Sequence, residues 1–467
     1  MTAWIARVLL LGLAVFAIPS DEAAIKHAID RLSFGARQDD VAHVRAIGIE
    51  HYIDEQLHPE RLPDPGVEAR LSELTTLRMS SREIAERFEI PLVQARRAAA
   101  RDNAAAGEAR PNPEMQQRAN TVMLELQQQK VLRAVYSTRQ LQEVLVDFWF
   151  NHFNVDARKG VDRFMLTEYE REVIRPHVFG KFRELLGATA KSPAMLFYLD
   201  NWMSIDPNGV HRLPRFATQN PNAPKGLNEN YGRELLELHT LGVDGGYTQQ
   251  DVTEVARAFT GWTIDQPRQG GSFRFDPRRH DDGRKRVLGH VINAGGQHDG
   301  EEVLDILAKH PSTARFIATK LARRFVSDTP PPSLVDRVAA RFRQTDGDLR
   351  EVMRTLLTSP EFFASEAYHA KIKTPFEFVV SAVRATDADV HDARPLARQI
   401  AELGEPLYQC QPPTGYKDTA DAWVNTGALV GRMNFGLALA GNKLRGVVVS
   451  NAQPDGVELG KPEFQRR

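Results

Sequence analysis

The residues best suited to chemistry lie in one segment, Asn230 to Leu241. At about 100° per residue of α-helix, Tyr231, Leu235, Leu238 and Leu241 fall on one side. Glu234 sits inside that apolar stripe, with Glu237 at one border and His239 at the other. A carboxylate on a buried stripe is costly unless it is paired or bound to a metal. Glu234 and Glu237 are also three residues apart, close enough on a helix to share a ligand. A second helix repeats the pattern. Leu141, Val144, Leu145, Phe148 and His152 fall at i, i+3, i+4, i+7 and i+11, so the imidazole continues an apolar face. Asp251 and Glu254, spaced i,i+3, open a third helix, and His280 heads the polar turn His280-Asp281-Asp282-Gly283. Carboxylates and imidazoles projecting inward from several helices are the material of bundle metal sites. On this reading Glu234, Glu237 and His152 are catalytic candidates. A divalent metal would be held by residues drawn from His152, Glu234, Glu237, Asp251 and His280. It would supply Lewis acidity or an activated water, with a spare carboxylate as general base.

Each of these residues also has a purely structural account. His152 can be a satisfied core histidine, Glu234 half of a buried ion pair, Asp251 a helix-capping residue and His280 part of an ordinary turn. No Glu-x-x-His pair occurs, since Glu237 and His239 are two apart, and a di-iron carboxylate site is not supported. The chain has no Gly-x-Ser-x-Gly elbow, no glycine-rich phosphate loop and no His-Glu-x-x-His. Its one cysteine, Cys410, reads as a packed free thiol.

The elements that must position these groups are helical. Helical periodicity runs through Ala23–Leu57, Leu141–His152, Asp251–Trp262, Glu301–Val326, Ser333–Gln344, Pro375–Leu403 and Ala420–Ala440. Thr248, with Asp251 three residues on, forms a capping-box variant. Residues 66–140, rich in Ala, Arg, Gln and Glu, read as long solvated helices with a flexible link near 103–114. Residues 204–227 read as a long Pro- and Asn-rich loop. Only Phe273–Phe275 and Lys285–Leu288 alternate, which suggests a single hairpin. The expected fold is all-α, a multi-helix bundle-like array with at most one small β-hairpin.

The chain has 467 residues, more than one core usually spans. The expected organisation is a leader at 1–20, an N-terminal helical region at 21–140 with the polar insert, a central helical domain at 141–300 and a C-terminal helical region at 301–467. A net charge of −1 builds no basic footprint for nucleic acid. Arg7 precedes an apolar run from Val8 to Ile18, and polar residues follow at once. That is a signal-peptide pattern, too short to span a bilayer, and it predicts a periplasmic or secreted protein with no stable membrane insertion once the signal is removed.

The run Asn228-Glu-Asn-Tyr-Gly-Arg-Glu-Leu-Leu-Glu-Leu-His-Thr-Leu-Gly-Val-Asp-Gly-Gly-Tyr-Thr248, continuing to Ala258-Phe-Thr-Gly-Trp262, resembles the bacterial family catalogued as domain of unknown function 1800. Phe148-Trp-Phe-Asn-His-Phe153, Pro193-Ala-Met-Leu-Phe-Tyr-Leu-Asp-Asn201 and Ala322-Arg-Arg-Phe-Val-Ser-Asp328 agree with it. The resemblance implies an exported protein without an established activity, from a family often encoded beside sulfatase-like proteins. Two functions follow as expectations. One is an exported metal-dependent enzyme with a His/Glu/Asp site between core helices. The other is a non-catalytic envelope scaffold, or a secretion or assembly partner of a sulfatase-like exported protein. The sharpest structural expectation is that Glu234 is buried and meets His152 or a cation shared with it.

Overall fold

The computed structural model describes residues 17–103, 113–208 and 226–449. Most of the leader, the link near 103–114, most of the 204–227 loop and the C-terminal Pro462-Glu-Phe ending lie outside these residues. The described chain is an array of helices with three two-stranded antiparallel sheets. The all-helical reading holds, and the reasons are local. Asp21, Thr248, Asp348, Thr374 and Asn425 each accept a backbone N–H at a helix start, which satisfies a donor that has no partner within the helix. Pro311, Pro332 and Pro375 stand at first helical positions, where a missing N–H costs nothing. Thr248 and Asp251 form the capping box that their spacing predicts.

Three sequence readings change. The expected single helix Glu301–Val326 is two, His298–Lys309 and Pro311–Phe325, because Pro311 cannot continue the first. Helix Pro113–Tyr136 is not solvated on all sides. It buries Val122, Leu126, Val131, Leu132 and Val135 and packs against Pro375–Ala385 and Arg394–Glu402. Its five glutamines mask the apolar face in the sequence. The two alternating segments are both strands, but they do not pair with each other. β1 (Trp262–Ile264) pairs with β2 (Phe273–Phe275), in the register Trp262 to Phe275. β3 (Lys285–Val287) pairs with β4 (His290–Ile292), and β5 (Asp389–Val390) with β6 (Val447–Val448).

One contiguous apolar core runs from Ala24 to Val447 and takes its buried residues from both sides of the polar insert, with none between Leu77 and Leu126. A small separate cluster of Ile84, Leu92, Ala119, Val122 and Phe164 holds the polar insert against it. No described helix is long and apolar enough to cross a membrane.

Candidate functional site

The five residues singled out for metal chemistry do not converge. Among the described residues, no group of three or more His, Cys, Asp or Glu side chains is arranged to hold a metal ion. The helix from Asn230 accounts for much of this. It is α-helical only to Glu234, and Leu235–Thr240 is a π-helical turn. The Leu241 N–H bonds the Leu236 carbonyl five residues back, at 2.8 Å. The wider turn rotates the face away from the 100° expectation. His239 becomes buried, while Glu234 and Glu237 are left half-buried. Glu237 accepts from the Tyr247 hydroxyl at 3.2 Å. Glu234 has no hydrogen bond or ion pair with a described residue; burial, and then the neighbouring Glu237, raise its carboxyl above the ordinary range.

Nor does Glu234 meet His152. The His152 Nε2 lies 3.1 Å from the His239 carbonyl. A carbonyl only accepts, so Nε2 carries the proton and Nδ1 keeps its lone pair. That Nδ1 is buried with no partner among the described residues. Burial, with Lys320 and His239 nearby, holds the imidazole well below its ordinary pKa, and it is neutral. Asp251 is committed to the Thr248 cap and accepts from the Leu288 N–H at 2.7 Å. His280 is fully buried in a closed cluster. Its Nδ1–H donates to the Thr260 carbonyl at 2.8 Å, and its Nε2 lies 3.0 Å from Asp299. The Lys285 ammonium bonds the same Asp299 oxygen at 2.5 Å. A cation already sits where a metal would, and this cluster is structural.

The concave site lies elsewhere, and of the five candidates only His152 reaches it. A cleft of about 370 Å³ opens between helices Pro113–Tyr136, Gln140–His152 and Pro311–Phe325 under the loop 404–419. The motif Phe148-Trp-Phe-Asn-His-Phe153 and the following Asn154 hold that loop. The Asn151 amide bonds both backbone groups of Tyr416, at 2.8 and 2.7 Å. The Asn154 Nδ2 donates to the carbonyls of Cys410 and Pro412, each at 2.9 Å. Gly415 has φ +73°, and a Cβ there would stand 2.3 Å from the Asn151 carbonyl oxygen. Only glycine fits this close approach.

The walls carry both signs of charge, and most charges are matched. Lys130 lies 2.6 Å from Asp147; burial alone would lower its ammonium, but Asp147 and Glu170 outweigh that and raise it. Arg324 pairs with buried Glu377 and approaches Asp418. Lys417 is exposed and lies 3.6 Å from Asp421. Two groups stand out. Glu405 is buried, accepts from the Phe376 N–H at 2.8 Å, and is pushed up to about 8 by burial and then by Asp147. It is a protonated acid at neutral pH. Lys320 is half-buried, packs over the Phe316 ring at 5.6 Å, and has no ion pair or hydrogen bond with a described residue. Burial, and then Arg323, lower its amine to about 8 against the opposing effect of Asp418. The cleft lining therefore holds both a carboxylic acid and an amine shifted toward neutrality, groups of the kind suited to proton transfer. Cys410, beside them, is pushed up to about 12 by burial and is an inert thiol.

Linear spacing pointed to none of Lys130, Asp147, Lys320, Arg323 or Glu405. They come from four separate stretches of chain, and only the Ala322–Asp328 and Phe148–Phe153 motifs lie next to them. Neither a curated protein nor a solved structure matches the chain. A family model spans residues 27–463, nearly the whole sequence, and the chain belongs to that family, the proteins of unknown function DUF1800.

Proposed function

We propose that this is an exported protein whose working site is the charged cleft, and that the cleft binds a small anionic molecule between acid–base groups. The observation that carries the reading is Lys320. It is an ammonium half removed from water, with no described carboxylate in ion-pair or hydrogen-bond contact, on the wall that also presents Arg323. A partly desolvated, unmatched cation is stabilised by any anion that reaches it. Metal chemistry built on His152, Glu234, Glu237, Asp251 and His280 is not carried forward, because those side chains do not come together. Export rests on the apolar run Val8–Ile18 and the polar residues after it. Intact-mass analysis of the envelope fraction tests it, with loss of Met1 to about Ala17 expected.

The test of the cleft is thermal denaturation with a panel of small carboxylates, phosphate and sulfate. At about a hundredfold excess over Kd, a bound anion stabilises by about 2.7 kcal/mol, and Lys320→Met should abolish the shift. If no anion raises the Tm of the wild type, the reading fails.

One observation favours the assembly role instead. Helix Thr426–Ala440 exposes Leu429, Val430, Met433 and Leu437, with Val424 just before it. This apolar face would suit a sulfatase-like exported partner. Co-expression with that partner and gel filtration test it. Co-elution that Leu437→Lys disrupts is the expected result, and separate elution of the two wild-type proteins would count against the role.

A further inference from the structure

Lys320 differs from the other amines of the cleft. Lys130 is tied to Asp147, and Lys417 is exposed beside Asp421. Just outside the cleft lining, Lys371 is held by Asp328 and Asp418. An ammonium fixed in an ion pair is a poor nucleophile, because its lone pair is committed to the proton. The Lys320 nitrogen has no such partner among the described residues. Its stem lies on the Phe316 ring, and buried His152 and Arg323 share its wall. Arg323 stands three residues on in helix Pro311–Phe325, so the two side chains are neighbours on one face, with Cβ atoms about 5–6 Å apart. The Arg323 Nε–H donates to the Asp328 carbonyl at 3.2 Å. Its two terminal nitrogens have no described partner and form a planar fork suited to a carboxylate.

From this geometry we infer that Lys320 is a covalent amine site for a small 2-oxo acid, whose carboxylate is held by Arg323 and whose carbonyl carbon is attacked by the Lys320 nitrogen. The inference rests on the cleft being the working site. The Lys320 ammonium and the carbonyl give a protonated imine and one water. The C–N double bond replaces the C–O double bond, and the carbonyl oxygen leaves with two of the nitrogen's protons. No oxidant, reductant or metal is needed. The free amine that attacks is accessible near neutrality because burial lowers its pKa to about 8. The buried carboxylic acid of Glu405 lies in the same cleft lining.

The test incubates the full chain with pyruvate or glyoxylate near neutral pH, reduces with cyanoborohydride and maps the adduct by peptide mass spectrometry. Thermal shift with the same acid is measured in parallel without reductant. The expected result is a reduced adduct at Lys320, in preference to Lys130 and Lys417, that is absent in Lys320→Arg. Arg323→Met should raise the concentration of oxo acid needed for half-labelling by roughly tenfold, the effect of losing one charged hydrogen-bonded contact. It should change labelling by propionaldehyde, which has no carboxylate, by much less than this. Stabilisation by the oxo acid without an adduct at Lys320 would overturn the covalent inference while leaving the anion site standing. Equal labelling of Lys320 and exposed lysines would also overturn it. The absence of both adduct and stabilisation would overturn the covalent inference, and the anion site falls with it only if phosphate, sulfate and the other carboxylates also leave the Tm unchanged.

Discussion

The Glu405 carboxyl makes the stability of this protein depend on pH in a calculable way. Its pKa rises from an ordinary 4.5 to about 8 in the fold. A group raised on folding contributes stability that is fully present below its unfolded pKa and lost as the pH rises through its folded one. The window therefore runs from about pH 4.5 to about pH 8. Each pH unit inside it costs about 1.4 kcal/mol, so moving from about pH 5.5 to pH 8 removes about 3 kcal/mol attributable to this one side chain. For a chain of 467 residues the unfolding entropy near the midpoint is about 1 kcal/mol per degree, and the expected loss is about 3 °C. Glu405→Gln isolates it. The amide oxygen can still accept the Phe376 N–H that Glu405 now accepts, but no proton is gained or lost. The assay is calorimetry or fluorimetry of both proteins across this range. The variant should gain about 3 °C on the wild type between the two ends. A difference between the two Tm values that does not change with pH would refute the assignment of a buried, protonated Glu405.

Three further outcomes follow from the same contacts. Asp299→Asn removes the carboxylate that the buried Lys285 ammonium bonds and should cost about 3–5 kcal/mol; a Tm unchanged in this variant would show that the cluster is not closed. Gly415→Ala places a Cβ against the Asn151 carbonyl in a left-handed backbone position and should lower the Tm by at least about 2 °C. It should also abolish the anion-induced shift, which calorimetry with and without anion would record. Glu234→Gln relieves like charge beside Glu237 and should leave the Tm within about 1 °C of wild type or slightly above; a fall of several degrees would reveal a partner that the described residues do not show.

Much of the fold is legible in the chain because its signals are local. A capping box needs only Thr248 and Asp251, and the apolar stripe Leu141, Val144, Leu145 and Phe148 declares its own helix. The motif Phe148–Phe153 marked an important place, although its contribution is to clamp a loop some 260 residues away through Asn151. The site residues are not legible in the chain, for reasons that lie beyond local periodicity. The π-helical turn at Leu235–Thr240 shifts which side chains face inward, and a wheel drawn at a constant angle cannot register it. Likewise, a strand's alternation states that it must pair but not with what, and Phe273–Phe275 found Trp262–Ile264.

The helical class, the Thr248 cap, the family resemblance and the expectation of export can be read from the chain alone, since each depends on residues adjacent in the chain or on a contiguous motif. The site cannot, because it is made by folding. Whether a lysine is bound to a carboxylate, as Lys130 is, or left unmatched, as Lys320 is, depends on which side chains the folded helices bring within about 4 Å of it. Whether a glutamate is ionised or protonated depends on how much water the packed chain leaves around it. Both are properties of the assembled core.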